Sequence, residues 1–125
     1  MISILNSIII QTVILLPKSI IKLFAGKYVA GENHKTALGV VKSLNDHGFS
    51  ATIDILGEHV KETSEATKIT SEYLDLFDEI SENKLDCNIS IKPSHIGLDI
   101  SESHFFTNLK LLVDKAKFHK NFLRI

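Results

Sequence analysis

The chain has one cysteine, Cys87, in 125 residues. No internal disulfide can form, and a cross-linked framework of the kind found in small secreted domains is excluded. This suits a reducing compartment. Cys87 opens an apolar stretch and reads as a small buried residue rather than a nucleophile. Net charge is also scarce: 14 Lys and Arg against 15 Asp and Glu leave a formal −1. That argues against general electrostatic attraction to nucleic acid or acidic membranes. The basic residues are spread out and not interleaved with aromatics, so no nucleic-acid partner is expected.

No apolar run reaches the ~20 residues of a membrane-spanning helix. The longest candidate, 2–16, is broken by Asn6, Ser7, Gln11 and Thr12 and stopped by Pro17 and Lys18. It lacks a basic start and an Ala-x-Ala-like cleavage site, so it does not read as a signal peptide. A packing or interfacial helix is expected there, with peripheral membrane contact as the alternative. The chain also lacks Gly-x-Gly-x-x-Gly and a phosphate loop, which removes support for a Rossmann dinucleotide fold. It has no serine nucleophile elbow and no Cys/His pair in a recognisable context. Six histidines (His34, His47, His59, His95, His104 and His119) show no metal-ligand spacing. Asn88-Ile89-Ser90 matches a glycosylation sequon, but it falls inside an expected strand.

What is present is a domain-sized chain with 44% hydrophobic and 23% charged residues, ordinary for a globular protein. Residues 17–24 suit a short helix. Gly26 and Gly31 bracket a connector. Asn33 is a natural N-cap for a helix over 34–47 with Ala37, Val40, Val41 and Leu44 on its apolar face, and Gly48 is its stop. A strand follows over 50–56. Thr63 or Ser64 is then placed to cap a long helix to about Glu82, striped by Ala66, Ile69, Tyr73, Leu76, Phe77 and Ile80. Asp75, Asp78, Glu79 and Glu82 fall on its solvated side. A second strand covers 87–92 and ends at Pro93. Ser101 suits the cap of a third helix to about Lys117, striped by Phe105, Leu109, Leu112 and Ala116. A third strand begins at 121.

Strands recurring about every 35 residues between helices imply parallel pairing with right-handed crossovers. Alternation along the strands puts Ile53, Ile55, Ile89, Ile91, Leu123 and Ile125 on one face. Thr52, Asp54, Asn88, Ser90, Lys92, Phe122 and Arg124 fall on the other. The second set is too polar for the filled core of a doubly wound sheet. It fits the interior and C-terminal mouth of a (βα)8 barrel. The expected fold is therefore α/β: the N-terminal part of a (βα)8 TIM-like barrel, about three parallel strands with helices over 33–125, preceded by an apolar helical segment over 1–32. Because a whole barrel takes roughly 250 residues, a piece of a longer protein is expected, either a truncated gene product or an excised part.

Asp54 and Lys92 lie near the C-terminal ends of adjacent strands on the same face, with Glu58 just beyond. Opposite charges so placed suggest a polar pocket for a zwitterion, or else a structural ion pair inside a barrel. His59 and His95 also follow strand ends and are candidates to line the same place.

The segments Phe24-Ala25-Gly26-Lys27-Tyr28-Val29-Ala30-Gly31-Glu32, Thr52-Ile53-Asp54-Ile55-Leu56-Gly57-Glu58 and Ile89-Ser90-Ile91-Lys92, followed by Ile96-Gly97-Leu98-Asp99, resemble the monofunctional bacterial proline dehydrogenases. The resemblance runs from about Pro17 to Ile125. It implies a distorted (βα)8 barrel that binds FAD, oxidises L-proline to Δ1-pyrroline-5-carboxylate by hydride transfer and passes electrons to a membrane quinone. It implies a cytoplasmic protein, in peripheral contact with the membrane's inner face. It implies that Lys92 contacts substrate and flavin, that Asp54 lines the pocket and that Glu58 is a gate paired with an arginine from a final helix. Two departures stand out. Pro93-Ser94 replaces the family's Leu-Thr/Ser, and the chain stops at Arg124-Ile125, where the family continues Asp-Met-Glu. No catalytic residue is therefore expected within the chain. The 125 residues alone are expected to bind FAD weakly or not at all, to leave proline unoxidised and to be marginally stable. Two other classes remain open: a non-catalytic α/β interaction module pairing through its open strand edges, and a different (βα)8 enzyme with Lys92 as a Schiff-base lysine.

Overall fold

A computed structural model describes residues 30, 31 and 33–125. The expected helix over 17–24 and the apolar segment before it lie outside the described residues. The chain divides into two units, Met1–Ala37 and Leu38–Ile125, and the second carries the sheet.

Helix α1 spans His34–Asp46. As expected, Asn33 caps it: the Thr36 backbone N–H donates to Asn33 Oδ1 at 3.0 Å. Gly48, at φ 81°, ends it, and the Phe49 N–H reaches back to the Leu44 carbonyl at 3.0 Å. The expected apolar face needs correcting. Ala37, Leu38 and Val41 are buried, whereas Val40 and Leu44 are each 41% exposed. The helix is turned by Asn45, one turn past Val41. Its Nδ2 donates to the carbonyls of Phe49 and Asp86, and its Oδ1 accepts from the Asp86 N–H.

Strands β1 (Ala51–Ile53), β2 (Cys87–Ser90) and β3 (Leu123–Arg124) form one parallel sheet in the order β1-β2-β3. They are shorter than the alternation predicts, because the chain bends out of the ladder early: β1 leaves it after Ile53, while β2 runs on to Ser90. Leu56 stands 86% exposed at such a bend. The faces are as predicted except at Ile125, which is 66% exposed beyond the end of β3. Ile53 pairs with Ile89 and Ile89 with Leu123, while Thr52 pairs with Asn88 and Ser90 with Arg124. Ile53, Ile89 and Ile91 are buried. On the opposite face Thr52, Asp54, Phe122 and Arg124 are exposed, and Thr52 Oγ1 donates to Asn88 Oδ1 at 3.0 Å.

Helix α2 (Thr63–Glu82) buries the whole expected stripe together with Thr70. Its N-cap is Glu62, without a side-chain bond, rather than Thr63 or Ser64. The helix takes in Thr63 as its first residue, and Glu65 complements the dipole in its first turn. Helix α3 (Glu102–Phe118) begins as predicted, with Ser101 Oγ accepting from the His104 N–H at 3.1 Å. Phe105, Leu112 and Ala116 are buried. Asn108 is buried in place of the half-buried Leu109, and its Nδ2 donates to the Ile96 carbonyl at 3.0 Å. A buried amide needs such a partner, and a helix stripe read by hydropathy alone overlooks it.

Asp78 is on the solvated side, its side chain 41% exposed, but it is paired there rather than free. It accepts from Lys115 Nζ at 2.6 Å and His119 Nε2 at 2.7 Å, clamping α2 to α3, and these bonds hold its carboxyl below the usual range. Cys87 is buried, as the sequence suggests, and burial pushes its thiol up to about 11. It is a packing residue at neutral pH. Three parallel strands in one open sheet, with helices, one buried apolar face and one open polar face, form the architecture of a section of a (βα)8 barrel.

Candidate functional site

The C-terminal ends of β1 and β2 carry the chemistry. Asp54 is the first residue after β1. Lys92 lies two residues past β2 and caps the 3-10 turn Pro93–Ile96. Alternation puts both on the open polar face, where the ammonium of Lys92 donates to Asp54 Oδ2. The two side chains remain 38% and 37% exposed. The pair expected from the sequence is thus formed, at a mouth that solvent reaches.

The other Asp54 oxygen is also engaged. Oδ1 accepts from the Tyr73 hydroxyl at 3.1 Å, and the same hydroxyl lies 3.5 Å from the Ile55 carbonyl. Tyr73 comes from α2 and is fully buried. Burial first, and then the Asp54 charge, push its phenol well above the ordinary range, so it acts only as a donor. Helical periodicity alone marks Tyr73 only as one of the apolar stripe. The available signal was a hydroxyl on an otherwise apolar helix face, which must find a partner when buried.

His95 completes the surroundings. Its ring meets that of Tyr73 edge-on, with centroids 6.2 Å apart and planes at 86°. Its backbone N–H donates to the Lys92 carbonyl at 2.9 Å. It is 4% exposed, and Nδ1 has no partner among the described residues. Burial keeps the imidazole neutral by lowering its pKa; the charges of Asp54, Lys92, Glu65 and Glu72 add smaller, partly cancelling effects. The structure therefore puts His95 under the mouth, as support for it.

This has a consequence for stability. Above the ordinary histidine value of 6.5, folded and unfolded His95 are both neutral and the contribution is complete. As pH falls below it, the unfolded chain takes up the proton first, so the folded state loses ground until the folded pKa is passed. Melting at pH 7.5 and 5.5 is expected to show a smaller acid loss in His95→Leu than in the parent chain. Equal losses would remove His95 from the account.

Glu58 is exposed in the loop after β1 and makes no hydrogen bond or ion pair with Asp54 or Lys92. His59 is likewise not brought to the pair. Its Nδ1 lies 2.7 Å from Asp99 Oδ2, with Lys61 Nζ at 3.4 Å from the same oxygen. These partners, His59 foremost, hold the Asp99 carboxyl low. The Val60 N–H donates to the Ser94 carbonyl at 3.1 Å, and Val60 is buried. The loops after β1 and β2 are thereby knitted into one rim, which sequence spacing did not disclose.

Chemically, Lys92 has three N–H donors and gives one to Asp54. The others are available to an anionic ligand at the mouth. Asp54, with both oxygens accepting, is placed to orient rather than to take a proton. Among the described residues, no group of three or more His, Cys, Asp or Glu is arranged for a metal ion. No helix among them is long and apolar enough to cross a membrane.

No protein-family profile matches the chain. Individual proteins do. The chain is 38% identical over 96 residues to proline dehydrogenase 1 of Bacillus subtilis strain 168 and 29% identical over 99 residues to proline dehydrogenase 2 of that strain. It is 26% identical over 102 residues to the proline dehydrogenase of Deinococcus radiodurans. These alignments take in 77–79% of the chain but 32–33% of each relative. The chain thus spans about a third of the length of the curated relatives it matches.

Proposed function

We propose, from its relationship in sequence to the bacterial proline dehydrogenases, that this chain is part of a barrel enzyme that oxidises L-proline to Δ1-pyrroline-5-carboxylate with FAD and passes the electrons to a quinone. The observation that carries this reading is the joining of Asp54 and Lys92, from two of the resembling segments, on the open face at the strand ends. Proline is a zwitterion. Its carboxylate suits the donors that Lys92 has left, through charge-assisted hydrogen bonds that offset desolvation. Asp54 holds the ammonium in place and lines the same pocket. Glu58, exposed and unpaired among the described residues, suits a gate that closes on a cation from elsewhere in the protein.

The residues also fit the cofactor. The half-exposed Lys92 ammonium offers hydrogen bonds to the electron-rich oxygens of an isoalloxazine ring as readily as to a carboxylate. A bound FAD supplies the two-electron acceptor. The chain's own residues bind and orient the substrate and keep one positive charge at the mouth. A cytoplasmic location, with peripheral contact to the membrane that holds the quinone, belongs to the same reading.

The test is a graft in which this chain replaces the matching third of the B. subtilis proline dehydrogenase 1. The grafted enzyme is expected to be yellow and to reduce a dye in a proline-dependent manner. Lys92→Met is expected to lower kcat/KM for proline by about 10- to 100-fold, the worth of a charge-assisted hydrogen bond, with flavin absorbance retained. A graft that folds and holds flavin yet ignores proline overturns the proposal. So does borohydride trapping of Lys92 with a carbonyl compound, which would assign it Schiff-base chemistry.

A further inference from the structure

Four residues at the mouth close a ring of contacts. Lys92 bonds Asp54 Oδ2 and Tyr73 bonds Asp54 Oδ1. The Tyr73 ring meets His95, and the His95 N–H returns to the Lys92 carbonyl. The ring ties β1, α2 and the turn after β2 together. Its weak point is Asp54, which sits beyond the last ladder pair of β1 and is more than a third exposed. Such a carboxylate, bonded only to a flexible lysine, can adopt several rotamers. A second donor from a rigid, fully buried residue on a helix selects one of them.

We propose that Tyr73 is a positioning residue: its hydroxyl fixes Asp54 so that the opposite oxygen faces Lys92, leaving the ammonium's remaining donors aimed at a ligand carboxylate. The ring alone does not need the hydroxyl. Phenylalanine fills the same volume in the apolar stripe, and Phe77 occupies the next turn of that stripe, equally buried. The hydroxyl at 73 is matched to the Asp54 carboxylate. Its role as a guide for the substrate carboxylate rests on the proline reading; its role in holding Lys92 does not.

Two measurements separate these roles. In the full chain, acylation of individual lysines by an N-hydroxysuccinimide ester is followed by mass spectrometry. Tyr73→Phe is expected to speed labelling of Lys92 by about 3- to 10-fold, as for loss of one ordinary hydrogen bond felt through Asp54. Lys115, on α3 and paired to Asp78 rather than Asp54, is the internal control and is expected not to change. Equal acceleration at Lys115 would indicate general loosening, and no acceleration at Lys92 would show that the hydroxyl positions nothing. Either result overturns the proposal. In the grafted enzyme, Tyr73→Phe is expected to raise KM for proline by a similar factor with kcat little changed. Failure of the graft to oxidise proline rejects the proline reading and leaves the labelling result standing. A graft active on proline but indifferent to Tyr73→Phe rejects the substrate-guiding part.

Discussion

Gly57→Ala is expected to destabilise the chain by about 2–5 kcal/mol, combining a forbidden backbone with an overlap. Gly57 has φ 149°, and a Cβ there would lie 2.5 Å from His95 Nε2 and 2.9 Å from Cε1. His95 has little room to withdraw, being buried against Tyr73 and tied by its backbone to Lys92. Gly48 supplies the control. It too has a positive φ, but a Cβ there meets nothing within 4 Å, so Gly48→Ala is expected to cost only the handedness penalty of about 1–2 kcal/mol. Urea midpoints of the two variants measure the difference. Removing the obstacle with His95→Ala is expected to make Gly57→Ala cost less than it does in the parent background, leaving only its backbone part. Equal losses at the two glycines, or strict additivity in the double variant, would show that His95 does not crowd Gly57. For a domain whose whole stability is of the order of 5–15 kcal/mol, the larger loss is enough to unfold much of the population.

Phe77→Ala is expected to cost about 3–5 kcal/mol, the range for truncating a buried aromatic. Phe77 is fully buried on α2, among the largest buried side chains of the chain. The cost depends on how far the surroundings collapse. Here α2 is fixed at two levels, by the Asp78 clamp to Lys115 and His119 and by the Tyr73 bond to Asp54, so little relaxation is available and the upper end of the range is expected. Thermal melts followed by circular dichroism measure it, and a loss under 1.5 kcal/mol would mean that α2 settles into the space despite both ties. Phe77→Leu separates the terms: it keeps most of the volume and is expected to lose much less.

The α/β order, the parallel pairing and the two faces of the sheet were legible because each rests on a short-range period. Ile53, Ile89 and Ile91 alternate with Thr52, Asn88 and Ser90, and the register keeps them in line. Caps read well where a side chain does the capping, as at Asn33 and Ser101, and poorly at Glu62, where none does. Faces read less well where a polar residue sets the rotation. Asn45 turns α1 so that Leu38 is buried and Val40 is not. Asn108 does the same in α3. The acid–base pair Asp54–Lys92 was legible because strand alternation and strand ends are both visible in sequence. Its third member was not, since Tyr73 lies 19 residues from Asp54 on a helix, and nothing local says which acid a buried phenol will find. The His59–Asp99 bond joins two loops 40 positions apart. Loops have no period from which their contacts can be read.

The order β1-β2-β3 bears on how the molecule is made. Among the described residues, β2 and β3 each lie beside the strand before them in the chain, separated by one α-helix and roughly 35 residues, so each closure spans a similar loop and costs similar entropy. Within this sheet neither β2 nor β3 has to wait for a distant partner. As the chain leaves the ribosome, β2 finds β1 already present and β3 finds β2. The Asp54–Lys92 pair becomes possible as soon as residue 92 has emerged, so the mouth can be assembled before helix α3 has left the ribosome.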